Sequence, residues 1–268
     1  VESWDGTNWT EVAETATSRR YASGFGTQTA SILAAGYTTT NIDNVESWDG
    51  SSWSEIAEIN TGRNDCQGAI GISTAGMIIG GTPGGSPVAI CEYWNGSSWT
   101  EVADLNTGRG TGGSGGVFTS GITFGGETPN TTKTEEWNGS AWTETADMAT
   151  QRNTLGGSGS SNTVALAFGG DDPGNPKTGL TEEWTFTGLD PSTTPAADYS
   201  DALIGDFYYN SSEGKFKNTV SGSGTGTWAS GANMNTARYR MQGGMGTYAA
   251  AYAVAGATPP KANVENYN

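Results

Sequence analysis

The stretch Glu92-Tyr93-Trp94-Asn95-Gly96-Ser97-Ser98-Trp99 sets two tryptophans five positions apart around Asn-Gly, and it recurs along the chain. Its first half returns as Glu2 with Trp4, Glu46 with Trp48, Glu135 with Trp137 and Glu182 with Trp184, with a degenerate copy at Glu265 and Tyr267, at a period of about 45 residues. The second tryptophan returns as Trp9, Trp53 and Trp142, and the residues between are Asp5-Gly6, Asp49-Gly50 and Asn138-Gly139. Asn-Gly and Asp-Gly accept the positive φ of a tight turn, so each copy reads as a hairpin.

Ten residues after each second tryptophan stands an arginine: Arg19, Arg63, Arg109, Arg152 and, counted from Trp228, Arg238. A glycine-rich stretch follows, then a short apolar run closed by small residues, as in Ile78-Ile79-Gly80-Gly81 and Thr123-Phe124-Gly125-Gly126. Helical periodicity is missing from every unit, and each divides into four short strands, here a to d starting from the arginine. Complete units span about 19–59, 62–105, 108–148 and 151–234. A fifth is split: 238–268 supplies strands a to c, and Asn8 to Glu14 supplies d.

This combination of period, glycine doublet and paired aromatics resembles the kelch repeat and the repeat of the galactose-oxidase central domain. The third strand departs from the usual kelch pattern in reading Glu-Ser-Trp-Asp-Gly. The resemblance implies an all-β, kelch-like β-propeller, one domain over 1–268, of about five four-stranded blades closed between the chain ends. One copy of strand c is surplus, because Val1 to Trp4 and Val264 to Tyr267 both read as that strand. Either a terminus is displaced, or the chain is an excerpt of a six- or seven-bladed ring. The start at Val1, inside a repeat and without Met, favours a processed or excerpted piece.

Only one part of the chain is not repeated. Trp184 and Trp228 lie 44 residues apart, which places an insertion at about 186–225 in the c–d turn of the fourth unit. Alternation on either side of Ser212-Glu213-Gly214 predicts a β-hairpin there, with Phe207, Tyr208, Tyr209, Lys215 and Lys217 as a contact surface. The Gly205-Asp206-Phe207-Tyr208-Tyr209-Asn210 segment resembles a hairpin of bacteriophage tail-fibre and other virion proteins. Units of the Trp-Asn-Gly-Ser-x-Trp-Thr-Glu kind are likewise similar to repeats in virion proteins of marine phages.

Composition narrows the chemistry. Ten Trp, ten Tyr and seven Phe need a packed interior, despite 42 Gly. A net charge of −16 disfavours nucleic acid and anionic membrane surfaces, and no apolar run is long enough to span a bilayer. No histidine is present, which removes serine–histidine and cysteine–histidine mechanisms, the usual catalytic zinc sites and the copper site of galactose oxidase. Carboxylate chemistry is what remains to an enzyme, and most acids sit in repeated Glu-x-Trp or Trp-x-Glu contexts, so the expectation is a non-enzymatic protein without a required cofactor. Cys66 and Cys91 are too few for a disulfide framework and lack metal-site spacing.

The candidate sites carry paired readings. Arg19, Arg63, Arg109, Arg152 and Arg238 form either an anion-holding ring at one channel mouth or staples to glutamates. The tryptophans either fill the wedges between blades or stack on sugars. Asp171, Asp172 and Asn175 are either a Ca2+ site or turn residues. The b–c loops, with Tyr37 the prominent side chain of the first, share a face with the arginines and vary between units. The resemblance implies a virion-surface, extracellular module that binds a host-surface glycan or protein and contacts other virion subunits or its own copies. A purely structural decoration protein and a secreted carbohydrate-active enzyme are the alternatives.

Overall fold

The computed structural model describes residues 1–127, 131–172, 174, 177–186, 207–210, 215–218, 226–235, 244–247, 250–254 and 264–267. Among these residues every regular element is a strand. The N-terminal hairpin joins β1 (Glu2–Trp4) to β2 (Trp9–Glu11). The first complete sheet contains β3 (Ser23–Thr27), β4 (Ala30–Ala34), β5 (Val45–Trp48) and β6 (Trp53–Ile56). The second contains β7 (Gly68–Ile72), β8 (Ala75–Ile79), β9 (Cys91–Trp94) and β10 (Trp99–Val102). The third contains β11 (Gly113–Val117), β12 (Ser120–Phe124), β13 (Thr134–Trp137) and β14 (Trp142–Glu144).

In the fourth sheet, β15 (Gly156–Ser161), β16 (Val164–Phe168) and β17 (Thr181–Phe186) are followed along the chain by a separate hairpin of β18 (Phe207–Asn210) and β19 (Lys215–Asn218). The sheet is then completed by β20 (Gly226–Ser230), and Trp184 faces Trp228 in the same register as Trp48 faces Trp53. A C-terminal sheet holds β21 (Gly244–Thr247), β22 (Ala250–Val254) and β23 (Val264–Tyr267). All pairings are antiparallel and, except for β17 with β20, join chain neighbours, and each complete sheet is a meander of four strands.

The c–d turns explain their own sequence. The first residue of each is an Asp or Asn whose Oδ1 accepts two backbone N–H groups: Asp49 from Ser51 and Ser52 at 2.8 Å, Asn95 from Ser97 and Ser98 at 2.9 Å. The glycine that follows has φ near +95°, at Gly6, Gly50, Gly96 and Gly139.

Sheets stack face to face, in a propeller-like arrangement, because each apolar cluster is shared by two neighbours. Phe25, Ile32 and Val45 of the first sheet meet Ile78, Trp94 and Trp99 of the second. Ile70, Met77 and Cys91 meet Trp137 and Trp142, and Ile122 and Phe124 meet Ala165, Ala167 and Trp184. Trp99 donates its indole N–H to Ala57 O of the preceding unit at 2.9 Å, and its ring meets Phe25 edge-on. Trp228 does the same to Phe124, with centroids 4.8 Å apart. The first tryptophan of each pair instead donates to its own a–b turn: Trp48 to Gln28 O, Trp94 to Ser73 O and Trp184 to Asn162 O, all at 2.9 Å. These side chains fill the space between sheets, which is the packing alternative of the two set out above.

First strands lie side by side in the order β3, β7, β11, β15, β21. Their glycines permit this: a Cβ on Gly157 would lie 2.4 Å from Ser114 N. At the termini the pairing differs from expectation. Among the described strands β2 pairs with β1 and β23 with β22, and no ladder joins β2 to the C-terminal sheet. The surplus copy of strand c accounts for it, since β1 reaches β2 through a turn of a few residues whereas β23 lies at the far end of the chain, and loop-closure entropy favours the nearer partner.

Candidate functional site

Among the described residues, each repeated arginine is fixed at the entrance to its sheet by a buried ion pair. Arg63 Nη1 meets Glu92 Oε1 at 2.5 Å, Arg109 Nη2 meets Glu135 Oε1 at 2.9 Å, Arg152 Nη2 meets Glu182 Oε1 at 2.8 Å, and Arg19 pairs with Glu46. Further donors reach main-chain carbonyls: Arg109 Nη1 donates to Gly125 O at 3.2 Å and Lys133 O at 2.6 Å, so strands a, b and c of one unit are tied together, while Arg63 Nη2, Arg109 Nε and Arg152 Nε are buried without a hydrogen-bond partner among the described residues. The second oxygen of each glutamate takes the backbone N–H of the segment entering the unit, at Ala16, Asn60, Asn106 and Ala149. Desolvation lowers the pKa of Arg109 and Arg152, and the facing glutamate opposes that shift.

Arg19, Arg63, Arg109 and Arg152 therefore take the staple role; their side chains are at most 2 % exposed. The open anion-holding ring fails for these four because a buried guanidinium needs its charge compensated within reach, and the Glu of the Glu-x-Trp motif supplies it. Arg238 lies outside the described residues.

What surrounds the entrance is a collar built from a repeated backbone. Just past each arginine, the next residue forms an isolated antiparallel bridge to the first residue of the b–c loop: Arg20 to Tyr37, Asn64 to Thr82, Gly110 to Glu127 and Asn153 to Asp171. The residue after that is left-handed although it is not glycine, with φ of 59° at Tyr21, 46° at Asp65, 58° at Thr111 and 49° at Thr154. Such conformations cost of order 1–3 kcal/mol each and persist where surrounding contacts enforce them. Here the contacts run from unit to unit: Asp65 N donates to Tyr21 O at 3.3 Å, Thr111 N to Asp65 O at 3.1 Å, and Thr154 N to Thr111 O at 2.5 Å.

The glycine doublets serve the same joint. Gly36 N, Gly81 N and Gly126 N donate to the carbonyls of Arg63, Arg109 and Arg152 in the next unit, at 2.9–3.1 Å. A Cβ on Gly80 would come within 2.3 Å of Arg109 O.

This collar opens on a cavity of about 1040 Å³. Tyr21, Asp65, Thr111, Glu127 and Thr154 line it at the collar, and the glycine-rich backbones of β3, β7, β11 and β15 form its wall. Trp4, Trp9, Trp48 and Trp53 line it on the side of the N-terminal hairpin. The hydroxyl of Thr111 is buried without a hydrogen-bond partner among the described residues. Beside the mouth, the exposed Arg20 guanidinium lies 5.3 Å from the ring centre of Tyr21 and 4.9 Å from that of Tyr37.

Of the residues singled out from sequence, Tyr37 and Asp171 stand in the collar at equivalent backbone positions. Asp172 is beside it, where its Oδ1 accepts the Gly174 N–H at 3.1 Å, the turn chemistry of that segment. Asn175 lies outside the described residues, and among those described no group of three His, Cys, Asp or Glu side chains is placed to hold a metal ion. Phe207, Tyr208, Tyr209, Lys215 and Lys217 lie on the paired strands β18 and β19, with Phe207 opposite Asn218 and Tyr208 opposite Lys217. The turn residues Ser212, Glu213 and Gly214 lie outside the described residues, as does the rest of the insertion.

Sequence reading did not single out Arg20, Tyr21, Thr111 and Thr154. Their signal was a fixed offset from the arginine combined with changing identity, Tyr-Asp-Thr-Thr at one position, against the constancy of the neighbouring arginine.

Among the described residues the collar offers hydrogen-bonding groups, two tyrosine faces and one exposed cation around a mouth. An acid with a perturbed pKa exists elsewhere: burial raises Glu136 to about 7, but it sits on β13 and does not line the cavity. Cys91, raised to about 12 by burial, and Cys66, also raised by burial, are packed thiols rather than nucleophiles. A scan against models of protein families finds none that matches the chain, and a search of curated proteins finds no similar sequence.

Proposed function

We propose that this chain is a kelch-like β-propeller serving as a non-enzymatic binding module of a phage virion, and that it takes a host-surface glycan at the collar. The observation that carries the reading is the collar itself: one backbone site is repeated in four units and given different side chains in each, at the mouth of a large cavity. Constant main chain with variable side chains is the pattern of a specificity surface on a scaffold. Tyrosine faces and alternating donors and acceptors suit sugar rings and hydroxyls.

In this reading the four complete sheets and the C-terminal sheet are five blades, and the ring closes when β2 leaves β1 and completes the sheet of β21 to β23. The insertion at 186–225 emerges from a c–d turn, at the end of the sheets that carries the a–b turns and away from the collar. In the same reading it attaches the protein to other virion subunits or to a second copy, at the virion surface. The resemblance to virion repeats supports this assignment, and the lack of histidine supports the non-enzymatic reading.

A glycan array probed with the assembled protein tests the proposal. Binding to a restricted set of host glycans is expected, with loss in Tyr37→Ala and retention in a variant of the exposed c–d turn residue Ser51. Failure to bind any glycan or host-cell surface, or binding indifferent to the collar, rejects it.

A further inference from the structure

The collar is asymmetric in charge, and the asymmetry names a ligand class. Among the described residues, every other arginine is buried against a glutamate, and Lys133 pairs with Glu144. Arg20 is exposed, with no carboxylate within ion-pair distance among the described residues, in a chain of net charge −16. Its guanidinium is held instead near two tyrosine rings, a cation–π setting that is compatible with N–H donation to an anion.

Equivalent positions in the other three described units carry Asn64, Gly110 and Asn153. The other described units carry acids at the collar, Asp65 in the unit next to Tyr21, then Glu127 and Asp171. Arg-Tyr-Tyr thus occurs in one unit, on a backbone that needs none of the three.

We infer that Arg20, Tyr21 and Tyr37 form a subsite for the carboxylate of an acidic sugar, a uronate or sialate unit within a larger saccharide. This rests on the glycan reading above. The sugar carboxylate takes two parallel N–H donors from Arg20, the geometry guanidinium offers best. The ring lies against a tyrosine face, and the neutral part of the chain extends along the neighbouring units of the collar. Repulsion from the net charge does not prevent this, because at physiological salt it is screened within about 8 Å while the Arg20 contact is direct.

Isothermal titration with an oligogalacturonate and with its fully methyl-esterified, neutral counterpart separates the possibilities. Wild type is expected to bind the free acid at least about tenfold more tightly. Arg20→Gln should abolish that preference while the ester still binds, and Arg20→Lys should restore it only in part, with an unchanged thermal melt in both. Equal affinity for acid and ester, or a preference that survives Arg20→Gln, overturns the subsite while leaving glycan binding standing. Equally tight binding of a short oligoglutamate overturns the sugar assignment. Failure of acid, ester and every array glycan alike removes both this inference and the reading beneath it.

Discussion

Replacing Arg109 by Met tests whether the buried ion pairs hold each unit together. The pair is sealed, with side chains 1 % exposed on both partners. The substitution removes the Nη2 contact to Glu135 at 2.9 Å and the two Nη1 bonds to Gly125 O and Lys133 O. Glu135 is then left as a buried anion whose only compensation is the N–H and Nδ2 of Asn106, at 2.8 and 2.7 Å. Stranding one partner of a buried pair costs about 3–5 kcal/mol, which at 2–4 °C per kcal/mol for a chain of this size lowers Tm by roughly 6–20 °C. Urea and thermal melts followed by tryptophan fluorescence read the change directly, since Trp137 and Trp142 pack in the adjoining cluster. The double variant Arg109→Met/Glu135→Leu removes the stranded charge, so it should be more stable than Arg109→Met alone. A single-variant cost below about 1 kcal/mol, or a double variant that loses the full sum of both singles, refutes the reasoning.

Further outcomes follow from other parts of the fold. Gly157→Ala pushes a methyl group against Ser114 N at 2.4 Å and should cost about 1–3 kcal/mol in a urea melt, whereas Gly174→Ala, with nothing closer than 3.9 Å, should be neutral. Glu136 has a folded pKa raised by burial from 4.5 to about 7, so its contribution is present below pH 4.5 and lost as pH rises to about 7; Glu136→Gln should raise stability at pH 8 and leave it unchanged at pH 4. Ring closure is decided by oxidising cysteine pairs: Glu11→Cys with Glu265→Cys should crosslink if β2 joins the C-terminal sheet, and Glu11→Cys with Glu2→Cys if the hairpin of β1 and β2 persists. Cys66 and Cys91 should resist iodoacetamide at pH 8 in the native protein and react only in denaturant, as titration of free thiols by mass spectrometry would record.

The sequence by itself determined whatever depends on a few neighbouring residues. Trp94-Asn95-Gly96 through Trp99 specifies a hairpin because the Asn95 side chain and the positive φ of Gly96 are local necessities, and the same holds at Asp49-Gly50 and Asn138-Gly139. Repetition then implied sheets of four strands and located the interruption between Trp184 and Trp228. Only the tertiary structure decided what crosses between units. That Arg109 spends its charge on Glu135 instead of a ligand follows from burial, which no spacing in the chain reveals. The collar arises because Gly81 N meets Arg109 O and Thr111 N meets Asp65 O, contacts that exist once two sheets are stacked. The partner of β2 is ambiguous in pattern, since β1 and β23 carry the same one, and the short Asp5-Gly6 turn favours β1. Local chemistry makes the units; their mutual approach decides which side chains are sealed inside, like Arg109, and which, like Arg20, are left facing outward.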